Sequence, residues 1–258
     1  MEKDLLYKGF VEFFGTFSFL VLGIGGANVA VAIGGLFGVA TAFGLGLFIA
    51  VLLFGELSGA HLNPAISTAF ALFRRRDFPP VQWFVYVVAQ LVGGFCAAFI
   101  LWLTWTVHDG RTLDYACGFT KIAAGFLAET VGTMLLTLVV ARTCAAKDGS
   151  VVRVAAGAGA VLTGIILVFG VVSGGCFNPA RDFGPRFVNL MNGVPFGIAL
   201  KQCWLYLIAP TLGAVIGLAI HDYAFVCEES MPRTSSRRRS VQMSKAQAGT
   251  EDQQDVLL

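Results

Sequence analysis

The chain has 258 residues, 56% of them hydrophobic and only 13% charged, with a mean hydropathy of +0.75. A soluble domain carries about 25% charged residues, so a water-soluble globule is excluded and an integral membrane protein is expected. The net charge of +2 decides little by its size, but its placement along the chain sets orientation.

Six apolar runs, at about 9–31, 37–57, 81–106, 121–141, 153–172 and 203–226, are each long enough to cross a hydrocarbon core as a helix. A bilayer offers no solvent to unpaired backbone groups, and the runs do not alternate as barrel strands do, so helices are expected. The 31 glycines suit close helix–helix approach. Lys3 and Lys8 precede the first run, which is too long for a cleaved signal peptide and is expected to act as its own insertion signal. Arg74, Arg75 and Arg76 follow the second run, and Arg142, Lys147 and Arg153 surround the fourth loop. Arg233, Arg237, Arg238, Arg239 and Lys245 follow the sixth run. All fall on one side, which predicts that both termini are cytoplasmic. The uncharged loop near 28–36 and the mixed loop at 107–120 (His108, Asp109, Arg111, Asp114) then fall outside.

The chain repeats itself. Glu12-x-x-Gly15-Thr16 matches Glu129-x-x-Gly132-Thr133, and AQLVGGFCAAF (89–99) echoes APTLGAVIGLA (209–219). From Glu12 to Asn63 is 51 positions, and from Glu129 to Asn178 is 49. Each copy, about 8–106 and 121–226, holds three spans. Three is odd, so the second copy is inverted, and functional elements are expected at the midplane where the repeats meet.

After each Asn-Pro the apolar stretch is too short to span: PAISTAFALF (64–73) and PARDFGPRFV (179–188). Asn is a good N-cap, and Pro is favoured at the first helical position, so each Asn-Pro reads as a helix start. Inversion brings the two half-helices to the bilayer centre, N-terminus to N-terminus, with partial positive charge at the break. The Asn63-Pro64-Ala65 and Asn178-Pro179-Ala180 triplets would then face each other. The carbonyls of Gly59, Ala60, His61, Leu62, Gly174, Cys176 and Phe177 are tolerable at that depth only if they line a wet cavity.

Paired Asn-Pro-Ala triplets, the twin Glu-x-x-Gly-Thr and the string SGAHLNPA resemble the aquaporin family over roughly residues 8–226. The resemblance implies an all-α membrane fold of six spans and two re-entrant half-helices, a homotetramer, and one pore per subunit. Asp182 after Arg181, with Arg186 four positions later, resembles the glycerol-conducting branch. So does an aromatic residue, Trp102 or Trp105, near the end of span three. Tyr206-Leu207 matches that branch's Pro-Leu pair only by half. The family's narrow constriction maps onto Phe43, Ile166, Gly175 and Arg181, where the first three positions resemble the vacuolar, ammonia-permeable branch instead.

The expected function is passive conduction of water and small uncharged solutes, glycerol foremost, with ions and protons excluded. One alternative is a water, ammonia or hydrogen peroxide channel with little glycerol flux. A rival of another class is a proton-coupled secondary transporter using Glu12 and Glu129. No nucleophile–base set or phosphate loop suggests an enzyme, and no cofactor or nucleic-acid partner is expected. Glu12 and Glu129 are expected to hold the re-entrant loops by accepting their N–H groups, and His61 to hold its loop by a hydrogen bond. Glu56 reads as a solvated mouth residue, with pH sensing as its alternative. The six cysteines are scattered without metal spacing and read as packed free thiols, with contact to the pore as the alternative for Cys176. The polar tail, 227–258, is expected to be a disordered cytoplasmic segment, with Ser240 after three arginines as a candidate phosphorylation site. A plasma membrane is the expected location, an intracellular one the alternative.

Overall fold

The computed structural model describes residues 2–30, 32–109, 117–119, 121–146 and 149–226. Nine α-helices follow one another among them: α1 (Glu2–Asn28), α2 (Leu36–Ser58), α3 (Pro64–Phe73), α4 (Pro80–Asp109), α5 (Ile122–Cys144), α6 (Val151–Ser173), α7 (Pro179–Met191), α8 (Phe196–Ala199) and α9 (Cys203–His221). Six apolar segments are long enough to cross a membrane, so the chain is an integral, multi-pass membrane protein. Met1–His221 forms one compact unit; of the second, Asp222–Leu258, the π-helical turn Asp222–Val226 is described. The tail at 227–258, with Ser240, lies outside the described residues, as do Arg111, Asp114 and Lys147.

The clearest departures from the sequence reading fall at α1, α7 and α8. α1 begins seven residues early because the charged head continues the helix, with Lys8 and Asp4 one turn apart and paired at 3.2 Å. α7 runs to Met191 rather than 188, ending where the Asn192 amide donates to Val188 O at 3.0 Å. The short α8, started by Pro195, has no apolar periodicity long enough to betray it.

The packing follows the repeat. α1 packs on α2 and α4, just as α5 packs on α6 and α9. α4 packs on α7 of the other half, as α9 packs on α3. The axis relating the halves falls where α2 crosses α6 and α3 meets α7, since these elements contact their own counterparts. The main buried cluster gathers Phe19, Leu20 and Ile24 of α1, Phe43 and Leu47 of α2, and Leu162 and Ile166 of α6. Leu62 and Phe177, from the loops leading into the half-helices, complete it.

The α2–α6 crossing depends on two glycines. A Cβ on Gly44 would lie 2.7 Å from Gly159 O, and one on Gly159 would lie 2.7 Å from Gly44 O and 3.0 Å from Phe48 Cβ. Backbones this close leave no room for a side chain. Gly159→Leu is therefore expected to lower stability by about 1–3 kcal/mol, as overpacking does. Gly164→Ala in the same helix, where a Cβ meets nothing within 4 Å, serves as the control. Thermal unfolding in detergent reads both.

Candidate pore and selectivity site

Each half-helix is entered through a loop of unusual backbone. Gly59, Ala60 and Leu62 have φ of 88°, 43° and 50°, and Gly174, Gly175 and Phe177 have 79°, 60° and 52°. Left-handed conformations at three non-glycine residues cost of order 1–3 kcal/mol each and persist only where the surroundings impose them. A buried carboxylate does so in each half. Glu12 Oε1 accepts from the Ser58 hydroxyl (2.7 Å) and the His61 amide (3.0 Å), and Oε2 accepts from the Leu62 amide (2.8 Å) and Gln90 Nε2 (2.8 Å). Glu129 Oε1 accepts from the Ser173 hydroxyl (2.6 Å) and the Cys176 amide (3.0 Å), and Oε2 accepts from the Phe177 amide (2.6 Å). A carboxylate is the side chain for this task because it accepts several bonds and donates none.

The two loops then hold each other. Asn63 Oδ1 accepts from the Ala65 amide at 2.9 Å, capping α3, while its Nδ2 donates to Phe177 O at 2.8 Å. Asn178 Oδ1 accepts from the Ala180 amide at 2.9 Å, capping α7, while its Nδ2 donates to Leu62 O at 2.8 Å. The half-helices thus meet end to end, with Pro64 and Pro179 at their first positions. A cavity at this junction is lined by His61, Leu62, Asn63, Cys176, Phe177 and Asn178 of the two loops and caps. Apolar side chains, among them Phe19, Phe43, Leu47 and Leu162, form the rest of its wall.

Beyond the cavity, the Arg181 guanidinium carbon lies 5.2 Å from the centroid of the Phe43 ring. A Cβ on Gly175 would come within 3.3 Å of Ile166 Cγ1, which places these two side by side. Gly59 and Gly174 end α2 and α6 in left-handed conformations, and Ala60 continues the first of these turns. The His61 ring reaches Ser67 Oγ through Nδ1 at 3.1 Å and packs against Phe70, Phe78 and Tyr86. Asp182 and Arg186 are buried and pair at 2.6 Å. Arg186 also donates to Ala199 O at 2.8 Å and to Cys117 O at 2.9 Å, pinning α7 to α8 and to the segment before α5.

Sequence reasoning passed over a second tier of the site. Tyr86 donates to Ser58 O and Tyr206 to Ser173 O, each at 2.6 Å. The repeat carries the signal, because each tyrosine stands three positions before the matched Ala89 and Ala209. The copies diverge at the next position: Gln90 donates to Glu12 and also to Ser67 Oγ at 2.9 Å, whereas its counterpart is Pro210. Sequence spacing also concealed that Cys117 and Cys176, 59 positions apart, come together beside Asp182.

Two half-helices capped head to head around a cavity, inside a bundle of six apolar spans, define a membrane channel of two inverted halves. The chain matches the family described as Major intrinsic protein over residues 2–221, and it belongs to that family, the aquaporins, whose members are channels rather than enzymes. It is 30% identical over 241 residues to Aquaglyceroporin-2 of Rhizophagus irregularis, covering 83% of this chain and 75% of that one. It is 35% identical over 246 residues to Aquaporin NIP3-1 of Oryza sativa subsp. japonica, covering 92% and 75%. The structure of the aquaglyceroporin from Plasmodium falciparum superposes with a TM-score of 0.77 at 24% identity, covering 87% of this chain and 98% of that one, which establishes the shared fold.

Proposed function

We propose that the chain conducts water and small uncharged solutes passively, glycerol foremost, and rejects ions and protons. The observation that carries this reading is the mixed lining of the cavity, where the two capping asparagines and their loop neighbours meet aromatic and aliphatic residues of the spans. A polyol has the same mixed character, with hydroxyls and carbons both to be accommodated. Asn63 and Asn178 each commit one N–H to the opposite loop, and a carboxamide has a second to offer a passing oxygen. Phe43, Ile166, Gly175 and Arg181 form the selective constriction in this reading, with Phe43 and Ile166 toward the carbons. Ions fail because the pore does not replace a full hydration shell, and protons meet the barrier of Arg181 and the facing helix ends. The name of the Rhizophagus relative supports glycerol. The Oryza relative and the Phe–Ile–Gly ring favour the second reading, a water, ammonia or peroxide channel.

The carboxylates argue against a proton-coupled transporter. Seven donors converge on the four oxygens of Glu12 and Glu129, and moving a proton through either would release a re-entrant loop. Further parts of the reading are a channel domain at 1–226, a tail at 227–258, cytoplasmic termini, assembly as a homotetramer, and residence in the plasma membrane.

Light scattering of proteoliposomes tests the reading, first under a sucrose gradient and then under a glycerol gradient. Fast shrinkage with glycerol re-swelling well above that of empty liposomes is the expected result. Fast water flow without a glycerol leak would overturn the glycerol assignment and turn the assay to ammonia and peroxide. Saturable uptake that follows a proton gradient would overturn the channel mechanism.

A further inference from the structure

We propose that Cys117, Cys176 and Asp182 form a binding site for one soft divalent cation beside the pore mouth. The two thiol sulfurs and a carboxylate oxygen lie within 4.8 Å of one another, and all three residues are buried. They come from two separate pieces of chain: the segment before α5, and the stretch that runs from the loop into the first turn of α7. Ligand atoms around a tetrahedral zinc-like ion stand about 3.6–3.8 Å apart, so a small inward movement closes the set.

A second observation points the same way. Asp182 spends Oδ2 on Arg186, but its Oδ1, fully buried, receives no hydrogen bond of ordinary geometry from the described residues. The Cys117 amide and the Cys203 thiol interact with the same carboxyl group, so weak donors face it that a metal ion would replace. A buried carboxylate oxygen held only by weak donors is poorly satisfied, and a metal ion satisfies it better.

Charge selects the class of ion. Arg181 and Arg186 lie close enough to act on both thiols. With the thiols protonated, the two guanidiniums and one carboxylate carry a net charge of about +1. Binding proceeds as M²⁺ plus two R–SH giving M(SR)₂ plus two H⁺, and the local charge is unchanged. A hard cation would leave the thiols protonated and add its full charge beside two arginines, whereas a soft d¹⁰ ion displaces the protons. Cys176 also lines the cavity, so the site borders the pore.

Cadmium alone, titrated into the reduced full chain in detergent, tests the proposal through thiolate-to-metal ultraviolet absorption and equilibrium dialysis. One ion per chain is expected for the wild type and for Cys144→Ser, whose thiol is remote from the cluster. Cys117→Ser and Cys176→Ser are expected to weaken binding by more than about tenfold, since even outer-shell changes cost 10–100-fold. Size-exclusion profiles identify any variant that fails to fold, and the other variant then decides. Equal binding by all four proteins overturns the site. So does no binding by a wild type whose two thiols are shown by alkylation to be free. Recovery of Cys117 and Cys176 as a disulfide that survives the reducing conditions overturns it too, because the pair would then be a crosslink.

Discussion

Glu129→Ala is expected to abolish solute flux and to lower stability by about 3–6 kcal/mol. The substitution leaves the Cys176 and Phe177 amides and the Ser173 hydroxyl without their acceptor. Each buried donor left unpaired costs about 1–3 kcal/mol. The loss does not stay in one half. Phe177 holds a left-handed conformation, and its carbonyl is the acceptor for Asn63 of the other half. When the loop relaxes, the α3 cap loses a partner and the junction opens. Glu12→Ala removes the acceptor of four donors and is expected to do at least as much. The double variant should cost less than the sum, because the loops already depend on each other through Asn63 and Asn178. Glutamine at 129 restores one acceptor oxygen but points an N–H₂ toward other donors, so it should rescue little. Unfolding temperature in detergent and water flux in liposomes check all four variants. Wild-type flux and an unshifted transition in Glu129→Ala would overturn the loop-holding role.

Arg181→Val is expected to raise proton leak through the channel by at least about tenfold while water flux persists. The guanidinium is buried beside the Phe43 ring, where no bulk water screens it. Two unit charges 4 Å apart interact by about 4 kcal/mol at an effective dielectric constant of 20. Losing only about a third of that from the barrier gives the tenfold change. The facing ends of α3 and α7 keep their partial positive charge, so the leak should remain well below that of an open aqueous pore. Valine also widens the constriction, and glycerol flux should hold or rise. A pH-sensitive dye trapped in proteoliposomes reads the leak after an external pH step. An unchanged leak with intact water flux would assign the barrier to the half-helix ends alone.

Most of the fold was legible in the sequence. The six spans stand out because crossing a bilayer imposes length and composition on a contiguous run, and contiguous runs are what a sequence displays. The two half-helices were legible for a similar reason: Asn and Pro are local signals for a helix start, and Asn63 and Asn178 do cap α3 and α7. The inversion followed from counting spans between matched motifs. The ends of α1 and α7 and the whole of α8 were less legible. Polar interfacial helix has no apolar stripe to mark it, and a single turn is too short for any periodicity.

By itself, then, the sequence determined that this protein spans the membrane six times, repeats itself upside down, and begins a short helix at each Asn-Pro. Those are properties of neighbouring residues and of spacing. Only the tertiary structure decided what those residues touch. It brought Asn63 to Phe177 and Asn178 to Leu62 across more than a hundred positions, and it set Tyr86 and Tyr206 behind the two loops. It tied Arg186 to two other segments, at Ala199 and Cys117, and placed Cys117 against Cys176 and Asp182. The physical reason is that hydrogen bonds and metal-ligand geometry are short-ranged in space and indifferent to distance along the chain, so no local pattern records them.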